Sequence, residues 1–543
     1  MSQLPSMPQL TVDIRSSTVV TAAELLVDRL VEERVVSAMT KQDPTLWGPS
    51  AQAEAARRLA WVCLPKTSRP LLATIDALWS QLRSDGIDRV VLAGMGGSSL
   101  APEVICATSR VPLTGLDTTD PGEVADALAG DLQRTVLVVS SKSGSTVETD
   151  SHRRVFAAAF AAAGLDPAAH LVVVTDPGSP LQRIAEEEGY RAVITAEPNV
   201  GGRYSALTAF GLVPAGLARA DIANLLDDAE RQAPSLAADD PTNPALRLAA
   251  ALAVGHAAGA EKVVLADTGS GIVGFADWAE QLIAESTGKN GTGLLPVVVH
   301  NPAAPGFADA GPDATPVAIG PEVATASVAV RGTLGGQFLL WEYAIAVAGR
   351  LLGINPFDQP DVEAAKVAAR QQLSALNNTA ARPEPAFVEG DVAVYPVGNW
   401  MPPGIATLSD ALRALISATP PRGYLAVQAF LDRIADASAP VLRTELARRS
   451  HLQTTFGWGP RYLHSTGQYH KGGHQNGAFL QLTGAVATDI PVPGTDFTLG
   501  DLQQAQALGD ADVLVAHGRP VLRVHLLDRA AGLVALAHAM QEL

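Results

Sequence analysis

Apolar and polar positions alternate along this chain with two different periods. TAAELLVDRLVEERVVSAMT (21–40) and QAEAARRLAWVCL (52–64) place apolar residues near a 3.6-residue spacing. That period predicts helices, with Thr21 as an N-cap. From residue 86 the pattern shortens. IDRVVLAGMGG (87–97), TVLVVSSKSG (135–144), HLVVVTDPG (170–178) and RAVITAEP (191–198) are brief β-branched runs that end in Gly, Ser, Asp or Pro, with Ala-rich helical stretches between them. Strand runs without polar alternation, separated by helices, predict a parallel sheet covered on both faces.

The same alternation returns further on. KVVLADTGSG (262–271), GLLPVVVHNP (293–302) and ATASVAVRGT (324–333) read as strands, and ADWAEQLIAES (276–286) and GGQFLLWEYAIAVAGRLLG (335–353) read as helices. The expected architecture is α/β: an N-terminal helical segment (1–85), two α/β sandwich domains with parallel sheets (86–240 and 241–380), and a C-terminal α/β region (381–543) that mixes strand and helix patterns.

Composition narrows the function. The chain has 543 residues, 39 of them basic and 56 acidic, for a formal charge of −17. A field of that sign works against nucleic-acid and anionic-membrane binding, so an anionic substrate needs a local positive site. The two cysteines fit a reducing cytoplasm, no apolar run is long enough to span a bilayer, and the first residues lack a secretory pattern.

Five stretches carry candidate chemistry. VVLAGMGGSSLAPEV (90–104) puts Gly94, Gly96, Gly97 and Ser98 between a strand and a helix, where backbone N–H groups suit an anion. Ser99 stands where a dinucleotide fingerprint needs its third glycine, and no Gly-Lys-Ser/Thr ending follows. VVSSKSGSTVET (138–149) also follows a strand, and Ser141, Lys142, Ser143 and Thr146 could cradle phosphate oxygens; taken alone the run is equally a hydroxyl-rich connection. Arg203 emerges from Gly201-Gly202, suited to a developing negative charge. Glu285 ends an amphipathic helix just before a Ser-Thr-Gly break and is a candidate proton-abstracting base. Gln359 and Lys366, in FDQPDVEAAK, share a face if the helix already includes 359.

GMGGSS, SSKSGSTVET, GGRYSALTAFGL, AESTGK and NPFDQPDVEAAK, in that order, closely resemble the motifs of the phosphoglucose isomerase family, built on paired sugar-isomerase (SIS) domains. The resemblance covers about residues 50–375. It implies interconversion of glucose 6-phosphate and fructose 6-phosphate, in glycolysis and gluconeogenesis, through ring opening and a cis-enediol(ate), without metal or cofactor. It also implies a cytoplasmic homodimer with shared sites. By the same resemblance Glu285 is the base and Arg203 stabilises the enediolate. Ser141, Ser143 and Thr146 bind phosphate with Lys142 and Ser98 nearby, Gly97 lines the sugar, and Gln359 and Lys366 contact it, Lys366 assisting ring opening.

The family also uses a ring-opening histidine, often from the neighbouring subunit. Between Glu285 and Lys366 this chain has only His300, at a predicted strand end. The extension to Leu543, which gives the chain the look of the isomerase half of bifunctional transaldolase/phosphoglucose isomerase proteins, contains GPRYLHSTGQYHKGGHQNG (459–477). Its three histidines fit no zinc spacing. His464 is the expected sugar-facing imidazole, with His470 the alternative. Two other readings are a dual phosphoglucose/phosphomannose isomerase, for which Thr208 is the candidate water-holding hydroxyl, and a non-catalytic sugar-phosphate-binding regulator.

Overall fold

The computed structural model describes residues 9–376 and 384–543. Three sheets organise them. The first runs Thr114–Leu116, Arg89–Gly94, Thr135–Ser141, Leu171–Thr175, Ala192–Thr195, parallel throughout. Its central strand Thr135–Ser141 is buried at every position, which explains its unbroken apolar run. The second sheet runs Thr11–Ile14, Val328–Arg331, Ala314–Ile319, Lys262–Asp267, Leu295–Val299 and is parallel except at its first joint. The third has six strands in the order Phe387–Glu389, Val392–Val397, Val521–Leu526, Gly477–Gly484, Tyr424–Phe430, Gln453–Trp458. Its first two joints are antiparallel and the rest parallel.

Several sequence expectations change. The N-terminal segment is not wholly helical, because Thr11–Ile14 forms the antiparallel edge of the second sheet, paired with Val328–Arg331. The first helix starts at Ser17 with Ser16 in the N-cap position, so Thr21 lies inside it. The helix after the FDQ run is Val362–Leu376, which leaves Gln359 outside and removes the shared face with Lys366. The boundary expected at 380/381 lies outside the described residues. Among the described residues no helix is long and apolar enough to cross a membrane.

The helix Leu334–Leu351 is the buried spine beside the second sheet, and from Gly335 to Gly349 every residue is buried. It carries an anomaly, Glu342, fully buried with neither carboxyl oxygen hydrogen-bonded among the described residues. Burial holds its pKa well above the ordinary carboxylate value. A carboxyl whose folded pKa is raised contributes stability below its unfolded pKa, and that contribution is lost as pH rises toward the folded value. Glu342→Met removes the orphaned polar group at similar volume. It should raise the urea midpoint by an amount equivalent to about 1–3 kcal/mol, with a larger gain at pH 8 than at pH 5. Equal gains at both pH values would show that the carboxyl ionises freely in the fold.

Candidate active site

The carboxyl ends of the first sheet's strands open toward the end of the helix Phe275–Thr287, and the third region closes over both. At Gly94–Ser99 the chain leaves its strand through a single 3-10 turn, Gly96–Ser98. A Cβ at Gly97 would lie 2.0 Å from the Gly202 carbonyl oxygen, and one at Gly96 would lie 2.7 Å from the His464 carbonyl oxygen. Only glycine lets the loops carrying Arg203 and His464 come this close. The Ser205 hydroxyl ties the first of these contacts by donating to the Gly97 carbonyl at 3.1 Å.

The serine-rich loop joins the strand Thr135–Ser141 to the helix Val147–Ala162. Thr146 sits at the N-cap position, yet its hydroxyl does not cap the helix; it meets the Ser141 hydroxyl at 3.0 Å. The Gly144 N–H donates to Ser141 Oγ at 3.2 Å and the Ser145 hydroxyl to Ser143 Oγ at 3.1 Å. The loop thus bonds its hydroxyls to one another, above a helix start whose first N–H groups have no intrahelical acceptor. Gly144 has a φ of +67°, and a Cβ there would lie 2.9 Å from the Leu181 backbone nitrogen. A bulky side chain at this position is therefore excluded by both backbone and packing. Lys142 does not join the hydroxyls. Its ammonium pairs with Asp176 at 2.5 Å and donates to the Pro198 carbonyl. Ser98 is buried just past the end of the neighbouring strand, Arg89–Gly94.

Arg203 and Glu285 form the centre of the candidate site. Both are buried, and Arg203 Nη1 donates to Glu285 Oε2 at 3.2 Å. Arg203 uses every N–H donor it has. Nε donates to Ser286 Oγ (2.9 Å), Nη1 also to Gln359 Oε1 (2.9 Å), and Nη2 to the carbonyls of Pro356 (2.7 Å) and Asp358 (3.0 Å). Tyr204, stacked on Trp61 at 5.3 Å and packed near Phe357, gives the arginine loop an aromatic floor. Burial raises the Glu285 pKa above the usual glutamate value, against the opposing pull of Arg203, Gln281 and His464.

His464 reaches this centre from the third region. Its Nε2 lies 2.9 Å from Glu148 Oε1, on the first turn of the helix behind the hydroxyl loop, and its carbonyl accepts from Gln281 Nε2 at 2.9 Å. Gln281 Nε2 also lies 3.4 Å from Glu285 Oε1. The hydroxyl loop, His464 and the buried carboxylate therefore stand in one connected row. Burial works to raise the Glu148 pKa, but His464, its own backbone N–H and His152 outweigh it and hold the carboxylate below its ordinary value.

The other predicted residues divide clearly. Gln359 joins the centre through Arg203. Lys366 does not; it is exposed and pairs with Glu363 at 2.7 Å. His470 is buried in the third region's interior, with Nδ1 3.0 Å from the Tyr424 hydroxyl and its ring stacked on Tyr424. Desolvation pushes its pKa well below the ordinary value, so the alternative histidine is a core residue. His300 follows the strand Leu295–Val299 at the surface. The Thr208 hydroxyl caps the helix Ala209–Leu217 and donates to the Ser205 carbonyl, so its proton is not free to hold a water.

Two residues of this cluster escaped sequence reasoning. Lys289, in AESTGK, is buried and donates to the carbonyls of Asn355 (2.8 Å) and Asp358 (2.5 Å) and to Asp358 Oδ1 (2.8 Å). Burial and the charge of Arg203 lower its pKa to about 8, against Asp358 and Glu285. Lys289 and Arg203 together clamp the NPFDQ segment beside the base. Glu148 is the other, its only sequence signal being a carboxylate just after the hydroxyl loop.

Residues 63–313 match the family model described as phosphoglucose isomerase. A glucose-6-phosphate isomerase of Acaryochloris marina is 37% identical over 210 residues, 37% of this chain and 40% of that protein. A probable glucose-6-phosphate isomerase of Methanococcus maripaludis is 28% identical over 351 residues, 54% of this chain and 80% of that protein. The match thus spans about two fifths of the first of these relatives. A hypothetical protein of Thermus thermophilus superposes with a TM-score of 0.57 at 26% identity, covering 67% of this chain and 100% of that one. A glucose-6-phosphate isomerase of Chlamydia trachomatis gives 0.53 at 20% identity over 65% of this chain and 86% of its own, a likeness of fold. Residues 63–313, less than half of the chain, thus resemble the phosphoglucose isomerase family, and four of the five motifs fall within that span.

Proposed function

We propose that this protein interconverts glucose 6-phosphate and fructose 6-phosphate by proton transfer through a cis-enediol(ate), in the cytoplasm. The observation that carries this reading is the buried Glu285–Arg203 pair, in which a carboxylate of raised pKa touches a fully hydrogen-bonded guanidinium. Such a carboxylate suits removal of a proton beside a carbonyl, and the guanidinium suits the negative charge that follows.

The phosphate is assigned to Ser141, Ser143, Thr146 and the helix start behind them, with Ser98 adjacent. His464, held by Glu148, exchanges the proton of ring opening. Glu285 then moves the proton between the two neighbouring carbons. Gln359, exposed and bonded to Arg203 Nη1, is the partner that yields its place to the intermediate's oxygen. A role for Lys366 in ring opening requires its helix to move, since in this structure the lysine faces solvent.

The resemblance implied a homodimer with shared sites. Here His464 meets Glu148 within one chain, so we assign the whole site to a single copy. The test is a coupled assay of fructose 6-phosphate turnover. The intact protein should turn over, and both Glu285→Gln and His464→Ala should be impaired. A mixture of the two variants should show only the sum of their separate activities. Recovery on mixing would mean that the histidine crosses between copies, and an inactive intact protein would overturn the function.

A further inference from the structure

The third region has its own concave site, away from the row just described. A cavity of about 410 Å³ lies where the strand Gly477–Gly484 ends and the helix Leu499–Ala516 begins. Its size is that of a small-metabolite pocket. Strand, helix and the next strand Val521–Leu526 form a parallel βαβ unit, and ligands in such units sit outside the strands' carboxyl ends.

Its lining contains an unusual cation. Arg523 is 8% exposed, and among the described residues it makes no hydrogen bond or ion pair. Its guanidinium lies over the Tyr395 ring, 4.4 Å from the centroid. Stacking occupies the face of a guanidinium and leaves its N–H donors, which lie in the plane, available. Asp512, whose charge also reaches Arg523, is engaged by Gln372. The two carboxylates on the cavity wall are committed as well. Asp489 accepts from Thr498, Gly500 and Ile490, and Asp501 completes the capping box of the helix with Thr498. A nearly buried arginine whose planar fork has no protein acceptor and lines a cavity is placed to meet a bound anion.

We propose that this cavity binds a small phosphorylated metabolite through Arg523, and that the helix Leu499–Ala516 couples the site to His464. The coupling is visible along the helix. Gln503, Gln504 and Ala507 line the cavity, and between them Gln506 donates to Glu148 Oε1 at 2.7 Å, the same oxygen that meets His464. A ligand that shifts this helix changes the hold on the ring-opening imidazole. The coupling rests on the proposed isomerase reading, whereas the binding site does not.

Binding is tested by calorimetry on the full chain carrying Ser143→Asp, whose added carboxylate closes the hydroxyl cradle to phosphate. Inorganic phosphate and glycerol 3-phosphate should each bind at one site per chain. Adding Arg523→Gln should weaken them at least tenfold, and Arg523→Lys should give an intermediate loss while preserving the charge. No binding to Ser143→Asp, or equal binding with and without Arg523, overturns the site. Succinate binding more tightly than phosphate overturns the phosphoryl assignment. Coupling is read in the unmodified protein, where phosphate should change kcat at saturating fructose 6-phosphate, and Arg523→Gln should abolish that change. An effect on KM alone, the signature of competition in the cradle, overturns the coupling and leaves the calorimetric result standing.

Discussion

Glu285→Gln should lower kcat for fructose 6-phosphate by roughly 10²–10⁴-fold, the range a positioned general base supplies. KM should change little, because Glu285 touches Arg203 and Gln281 and stands apart from the hydroxyls assigned to the phosphate. The amide is nearly isosteric and can still accept from Arg203, so the fold should survive and the loss should be chemical. Exchange of the substrate's transferred hydrogen with solvent should fall with turnover, since both need the same carboxylate. The pH profile gives an independent check. Burial raises the Glu285 pKa above its ordinary value of 4.5. The acid limb of kcat/KM should therefore lie above pH 4.5 and be absent from the residual activity of Glu285→Gln. A variant that keeps near-normal turnover would remove Glu285 from the role of base.

The parts of this fold that were legible in the sequence share one physical property. Strands such as Thr135–Ser141 and Lys262–Asp267 are buried on both faces, so their burial appears directly as an apolar run. The strand Thr11–Ile14 has four residues, sits at an edge and precedes a helix, and TVDI carries too little pattern to separate it from that helix. The same logic divides the site. Glu285 and Arg203 lie in motifs whose glycines and helix end are local features. Glu148 matters because of a residue 316 positions away, and no local pattern encodes that distance. Lys289 was visible as a lysine but not as a clamp, since its acceptors are backbone carbonyls 66 and 69 residues on. Gln359 and Lys366 failed as a pair for a smaller reason: the helix starts at Val362, and a few residues at an element's end decide which side chains share a face.

Arg203→Met should be the second severe change, and its signature should differ from that of Glu285→Gln. A preorganised donor to a developing oxyanion is worth about 10²–10³ in kcat, and a loss of that order is expected here. Two further effects follow from the hydrogen-bond pattern. Ser286, Gln359 and the Pro356 carbonyl lose the arginine donor and the Asp358 carbonyl keeps only Lys289, so the NPFDQ segment retains just the Lys289 half of its clamp. A fall in thermal stability should therefore accompany the kinetic loss. The charge of Arg203 also opposes the burial that raises the Glu285 pKa. With the guanidinium gone the carboxyl keeps its proton to higher pH, and the acid limb of kcat/KM should shift upward from its wild-type position. Arg203→Lys separates the two contributions. It retains a positive charge, so the acid limb should return toward the wild-type pH. An ammonium cannot reproduce five planar donors, so kcat should stay depressed. An acid limb that fails to move in Arg203→Met would show that the carboxylate governing turnover is not the one Arg203 touches.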